Sequence, residues 1–159
     1  MRKKALIVRY KEIQEAEIFF KNKKTVLIGG CFDLIHFGHL KFLEKAKERG
    51  DFLIIALESD EFIKKRKRKQ PLHSQSERAE ILASLIMVDL IVLLPFFVSG
   101  KGYFDLVKLI SPHVIAVTSG DPQFENKKKQ IEEIGGQLVT VIPPLKKFST
   151  RRIINVFNI

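Results

Sequence analysis

Short apolar runs alternate along the chain with longer stretches in which apolar residues recur every three or four positions. The runs at 26–28, 52–57, 89–94, 113–117 and 137–142 have the length and composition of strands covered on both faces. Between the first two, Leu40, Leu43 and Ala46 share a helical face, predicting a helix over 38–49 that stops at Gly50 in a left-handed cap. Ser74-Gln75-Ser76-Glu77 is a capping box opening a helix to about residue 86. Helices over 103–110, ended by Pro112, and over 124–134, ended by Gly135-Gly136, complete the alternation. Ahead of the first strand, Ile13, Ala16, Glu17 and Phe20 predict a short helix over 10–21, within an N-terminal helical extension (1–23) packed on the rest.

Strand, helix and strand within about thirty residues require a right-handed parallel crossover. No repeat, linker or low-complexity tract interrupts the pattern, and 159 residues suit one domain, 1–159. The expected fold is α/β: a Rossmann-like, doubly wound sheet of about five parallel strands ordered 3-2-1-4-5. Its site lies at the carboxyl ends of the first and fourth strands, within this domain or across a homodimer.

Composition narrows the setting. Hydrophobic residues at 45% and charged residues at 29% are globular values, and no apolar run approaches the ~20 residues of a membrane span. The apolar segment of the basic N-terminus is too short for a secretory signal, and the single cysteine, Cys31, cannot form an internal disulfide. A reducing cytoplasm fits, and Cys31 reads as a small residue packed in a turn rather than a reactive thiol. Twenty-eight Lys and Arg against 18 Asp and Glu give a net charge of +10, which attracts nucleic acid or phosphorylated small molecules without choosing between them.

The candidate chemistry begins where the first strand ends. His36 and His39, with Gly38 between them, stand at the mouth of a helix, where free N–H groups and the positive dipole end suit phosphate and Gly38 leaves room for it. Glu58-Ser59-Asp60 follows the second strand at the same sheet edge. The cations of 64–69, K-K-R-K-R-K, read as a phosphate clamp, extended and mobile without nucleotide, against a solvated face or a nucleic-acid tag. Arg78 lies in a first helical turn, where a cation is misplaced unless an anion offsets it; a ligand contact is the expectation. His73, in the preceding loop, suits a structural or a functional role equally. The aromatics of 95–102 read as a partner surface. Gly120-Asp121 ends the fourth strand, and Ser149 caps a final helix, making a second helix mouth for phosphate oxygens. Neither a dinucleotide fingerprint nor a P-loop is present.

The segment Gly30-Cys31-Phe32-Asp33-Leu34-Ile35-His36-Phe37-Gly38-His39 closely resembles the signature of the cytidylyltransferase-like nucleotidyltransferases. Two branches compare well, the glycerol-3-phosphate cytidylyltransferases and the adenylyltransferase domain of bacterial heptose-phosphate enzymes, and the resemblance runs to about the C-terminus. It implies transfer of a nucleoside monophosphate from an NTP (CTP or ATP), with Mg²⁺, to a phosphorylated small molecule, releasing pyrophosphate. The resemblance assigns catalysis to His36, His39 and a pair within 66–69, either Arg66 and Arg68 or Lys67 and Lys69. Gly30, Cys31, Phe32, Asp33, Gly38, Lys41, Arg78, Gly120, Asp121, Ser149, Thr150 and Arg151 would hold nucleotide and phosphate. Glu58, Asp60 and His73 would meet the substrate, and Asp33 would organise the turn or a Mg²⁺-linked water rather than move a proton. No His/Cys cluster suggests a structural metal.

Three departures stand out: Glu58 where Asn-Ser-Asp or Ser-Thr-Asp is usual, Gln70-Pro71 in place of Arg-Pro, and Arg151 in place of a second hydroxyl residue. The residues suit the chemistry independently. A phosphate monoester, with a second pKa of about 6, needs no general base, so positioning and charge neutralisation suffice. Two rivals are a nucleic-acid-binding module using the basic surface, which would want interleaved aromatics, and a nucleotide-binding regulator with decayed catalytic geometry.

Overall fold

The computed structural model describes residues 4–143 and 148–157. Its six strands are β1 (Leu6–Arg9), β2 (Thr25–Gly30), β3 (Phe52–Leu57), β4 (Leu90–Leu93), β5 (Val114–Thr118) and β6 (Gln137–Ile142). They pair in parallel in the order β1-β4-β3-β2-β5-β6. The five expected strands therefore stand in the expected order, and the correction is a sixth: Leu6, Ile7 and Val8 pair in register with Leu90, Ile91 and Val92 and extend that edge. The N-terminal extension is thus a strand plus a short helical segment. Its helix is broken: α1 (Ile13–Ala16) sits between 3₁₀ turns at Tyr10–Glu12 and Glu17–Phe19, and the segment buries Ile13, Ala16 and Phe20 of the expected face while Glu17 is exposed.

The remaining helices are α2 (Phe37–Lys47), α3 (Asp60–Arg66), α4 (Gln75–Ala83), α5 (Gly100–Ile110), α6 (Phe124–Glu133) and α7 (Thr150–Phe157). The capping box at Ser74 and Glu77 forms as read, although α4 stops at Ala83, short of residue 86. Successive strand residues point to opposite faces, so each continuous apolar run serves two cores. Val26, Ile28, Leu53 and Ile55 pack with Leu43 and Ala46 of α2 and Ala79 and Leu82 of α4. Leu27, Ile54, Ala56 and Ile115 pack with α1, with Leu106 and Ile110 of α5, and with Ile131 of α6. β2 lies between β3 and β5, where the strand order reverses, and the carboxyl ends there form the crevice that open α/β sheets offer to ligands.

Gly50 corrects a reading of the sequence. Among the described glycines, positive φ occurs at Gly120 and Gly135, both 78°, and not at Gly50. Gly135 is the left-handed stop after α6, whereas Gly50 is needed for close approach. A Cβ there would collide with the Lys24 carbonyl oxygen and lie 2.8 Å from Val26 Cγ2. Gly50→Ala should therefore destabilise the fold by about 1–3 kcal/mol. Gly50→Asn, which a left-handed cap would tolerate, should cost at least as much. Urea unfolding of the two variants checks this; an Asn variant as stable as wild type would restore the cap reading.

Candidate active site

The crevice is built first by a strained turn. β2 ends at Gly29-Gly30, and Phe32 takes a left-handed φ of 47°, a conformation a bulky residue holds only where its surroundings enforce it. Here they do. The Phe32 ring is buried, 5.2 Å from the His39 ring, and a Cβ on Gly30 would sit 2.8 Å from it, so glycine is required. His36 is the extended N-cap residue of α2, and its carbonyl accepts from His39 N (2.9 Å) and Leu40 N (3.2 Å). The His36 and His39 rings stack, with centroids 3.8 Å apart and planes at 24°. Gly38 permits this, because a Cβ there would lie 3.1 Å from the His36 ring.

Burial lowers the pKa of both imidazoles. His39 is pushed down to about 4 by burial and by repulsion from His36; the Leu34 backbone opposes this, though buried Nδ1 of His39 makes no hydrogen bond of normal geometry. Both rings are therefore neutral near pH 7, and an arriving anion would favour their protonation.

Arg78 corrects the expected ligand contact. Its side chain is completely buried, and its partners among the described residues are internal: Nε donates to His73 O (3.2 Å), Nη1 to Cys31 O, and Nη2 to Glu58 O (2.9 Å) and Asp60 Oδ1 (2.7 Å). The anion that offsets this cation at a helix start belongs to the protein, so Arg78 and Asp60 position the turns after β2 and β3. Asp33 is the counterpart. Its Oδ1 accepts from the amides of Leu72 (2.8 Å) and His73 (3.2 Å), its Oδ2 from Lys69 Nζ (3.3 Å), and its carbonyl lies 3.2 Å from His73 Nδ1. His73 and Lys69 are thereby tied to the turn that Asp33 organises.

The basic run is not extended. Ser59 caps α3, accepting from Phe62 N at 3.1 Å, and Lys64, Lys65 and Arg66 form the helix's last turn, where cations favour its dipole. Arg66 donates to Val98 O (3.0 Å), Lys65 pairs with Glu61 (2.6 Å), and both lie over the Phe96 ring. Arg68 turns the chain with a φ of 53°. The neighbouring aromatics are engaged likewise: Phe97 packs between Tyr10 and Tyr103 at 5.3 and 5.0 Å, so the expected aromatic partner surface is mostly internal packing.

Two cavities meet at Gly29, Gly30 and Cys31. A smaller one of about 180 Å³, on the α2 side, is lined by Phe32, His39, Thr118, Asp121 and Lys127. A larger one of about 910 Å³, on the α5 and α6 side, is lined by Glu58, Arg66, Lys67, Tyr103, Asp121 and Lys127 among others. Gly120 turns with positive φ, and Asp121 accepts from Gln123 N and Lys127 Nζ, each at 2.7 Å. Glu58 is buried; Tyr103 OH donates to its Oε1 at 2.8 Å, and burial raises its carboxyl pKa. Burial raises the Cys31 thiol too, as suits an inert packed residue.

Lys41 is occupied on the surface, pairing with Glu44 at 2.7 Å over the Phe37 ring. Ser149 Oγ accepts from Arg152 N (3.2 Å) at the start of α7, where Thr150 and Arg151 follow, and Phe148 meets Phe37 at 5.0 Å beside α2's mouth. Sequence reasoning missed Tyr103 and Lys127; nothing local marks either, since Glu58 and Tyr103 are 45 residues apart.

The cytidylyltransferase-like family model matches residues 27–154. The chain belongs to that family. It is 39% identical over 138 residues to the bifunctional protein HldE of Aliarcobacter butzleri, covering 85% of this chain and 28% of that protein. It is 40% identical over 116 residues to the FAD synthase of Thermococcus kodakarensis, covering 72% and 73% respectively. The chain thus spans little more than a quarter of the HldE relative. Among solved structures, a lipopolysaccharide core biosynthesis protein from Thermoplasma volcanium superposes with a TM-score of 0.63 at 22% identity, covering 77% of this chain and 97% of that one. A pantoate-beta-alanine ligase from Francisella tularensis gives 0.67 at 15%, covering 98% and 78%. At those identities the structures speak to the fold alone, and they agree with the doubly wound sheet. Family membership supports nucleotidyl transfer as the class of reaction. No helix among the described residues is long and apolar enough to cross a membrane.

Two outcomes follow from this geometry. Arg78→Lys cannot reach several carbonyls at once, so it should cost about 2–4 kcal/mol of stability by leaving buried acceptors unpaired; unchanged urea midpoints would contradict that role. For His39, the folded pKa lies below the unfolded value of about 6.5, so stability present at neutral pH is lost as pH falls toward about 4. The loss should be about 2–3 kcal/mol and absent in His39→Asn, as unfolding midpoints between pH 7 and 4 would report.

Proposed function

We propose that this chain transfers a nucleoside monophosphate from a magnesium-bound NTP, either CTP or ATP, to the phosphate of a small molecule. The observation that carries this reading is the pair of neutral, stacked imidazoles at the mouth of α2, beside the strand end where two cavities meet. A non-bridging oxygen of the acceptor's phosphate attacks the α-phosphorus. A new P–O–P bond forms, the bond from the α-phosphorus to the bridging β-phosphate oxygen breaks, and pyrophosphate leaves with the electron pair. The acceptor is already ionised, so the protein's task is to align the groups and offset the charge gathering on phosphate oxygens.

His36 and His39 serve that purpose at the α- and β-phosphates, with Lys127 beside the smaller cavity and Arg66 and Lys67 at the larger. Ser149, Thr150 and Arg151 at the start of α7 hold the far end of the triphosphate. No three His, Cys, Asp or Glu side chains gather as a metal cage among the described residues, and Asp33 is committed to amides. Magnesium is expected with the nucleotide substrate, where it would shield the triphosphate's charge. Relatives of this chain include a bifunctional HldE and an FAD synthase, so the proposed acceptor is not confined to a sugar phosphate.

Four NTPs screened against phosphate monoesters for pyrophosphate release should give one strongly preferred pair. His36→Ala and His39→Ala should each lower kcat by roughly a hundredfold, the range for losing one pre-positioned donor, while the protein stays folded. Undiminished turnover by a folded His39→Ala protein would overturn the mechanism.

A further inference from the structure

The larger cavity carries a feature that nucleotidyl transfer itself does not require. Glu58 is 8% exposed, Tyr103 occupies its Oε1, and its Oε2 is buried with no hydrogen-bond partner among the described residues. A buried carboxylate oxygen left unpaired is costly, and the cavity lining this group is where a partner would come from. Tyr103 is itself held in place, edge-on to Phe97 with centroids 5.0 Å apart. The carboxyl is thus fixed by a phenol that is in turn fixed by a ring, an arrangement that holds an acceptor atom in one place.

The rest of the cavity says what kind of molecule surrounds that atom. Its walls include Phe62, Leu94, Phe97, Leu106, Val107 and Ile115; Arg66, Lys67 and Lys127 line it too, and Ser99, Gln123, Asn126 and Gln130 add polar side chains. Against the apolar walls a polyhydroxylated body would strand its hydroxyls, whereas a flat ring system would fill them, lose little hydration and leave its polar edge to the side chains of 123–130. The cations suit a phosphate, which would then lie toward Gly30 and Cys31, shared with the smaller cavity.

We infer that Glu58, steadied by Tyr103, selects the acceptor in this cavity, and that the acceptor is a phosphate monoester with a planar, mainly apolar ring body whose N–H or O–H donates to Oε2. This rests on the transfer reading for the direction of the phosphate, and Glu58 departs from the Asn or Ser that the resembling family usually carries at this point. Burial raises the carboxyl's pKa, so the donor's hydrogen bond would also favour the ionised form.

The test uses flavin mononucleotide as the ring-bearing probe, with glycerol 3-phosphate and a hexose 1-phosphate as hydroxylated comparators. Binding of each is measured by calorimetry with and without a non-hydrolysable Mg²⁺–NTP analogue, and pyrophosphate release is measured separately. Flavin mononucleotide should bind at least tenfold more tightly than either comparator. Glu58→Ala should weaken it tenfold or more and Tyr103→Phe about threefold to fivefold. Glu58→Gln, isosteric and still able to accept, should recover most of the affinity, and NTP-analogue affinity should stay within twofold throughout. Preference for a hydroxylated ester, or flavin mononucleotide affinity unmoved in a folded Glu58→Ala protein, would overturn the inference. Binding that follows this pattern with no pyrophosphate release from any acceptor would overturn the transfer reading and leave the selectivity of the cavity standing. Turnover of other acceptors, indifferent to Glu58, would do the reverse.

Discussion

A guanidinium with no exposed surface joins the carbonyls of Cys31, Glu58 and His73 and the carboxylate of Asp60. These groups lie in the turn after β2, the turn after β3 and the loop before α4, which the sheet alone does not hold together. Five donors in a rigid fork can satisfy several acceptors at once, and a buried charge is tolerable when its donors are used in this way. Asp33 does the converse with the backbone amides of Leu72 and His73. One cation collects carbonyls and one anion collects amides, and between them they fix the rim on which the imidazoles stand.

That division leaves Nδ1 of His36 and of His39 without a hydrogen bond of normal geometry among the described residues, while the cations on the cavity walls keep internal partners, Lys127 on Asp121 and Arg66 on the Val98 carbonyl. The chain carries a net charge of +10, yet its two central histidines are neutral in the free protein because burial lowers both pKa values and repulsion from His36 lowers that of His39 further. Two fixed positive charges 3.8 Å apart would be expensive to bury together. Holding the rings neutral avoids that cost in the empty site, and under the proposed reaction a polyphosphate's field would restore their affinity for protons as it arrived. The site's positive character would then be partly induced by its ligand.

The same physics explains what could be read from the sequence. The continuous apolar runs revealed five of the six strands: β2, β3, β4 and β5 are inner strands buried on both faces, and β6, at the far edge and half-exposed, was still marked by its apolar residues. β1 escaped because Leu6–Arg9 is four residues at an edge, flanked by charges and too short to show a period. Arg78 was recognised as a cation requiring an anion, but whether that anion is ligand or protein depends on where distant turns fold. The run 64–69 was expected to be extended because of its like charges, while Ser59, five residues upstream of it, had already set α3's start and made its last turn a favourable place for cations. The His-x-Gly-His segment was legible because its meaning is local: strand end, turn and helix mouth are consecutive. The Glu58–Tyr103 pair was not, since it exists only once β3 and α5 are brought together.

An in-line exchange at phosphorus needs the attacking and departing oxygens on opposite sides of the reacting atom. A parallel sheet with helices on both faces supplies two such sides, and its strand ends are where they communicate. Here the communication is at β2, whose last residues carry no side chains, and the Phe32 ring occupies the space that a Cβ on Gly30 would need. The smaller cavity approaches this point from the α2 side with His39, and the larger from the α5 and α6 side with Glu58. Because Arg78 grips the Cys31 and Glu58 carbonyls together, the imidazole side and the Glu58 side are set by one frame. On the proposed reading, a change in acceptor preference through Glu58 would leave the alignment at the phosphorus intact, and one fold could serve several acceptors while keeping a single reaction.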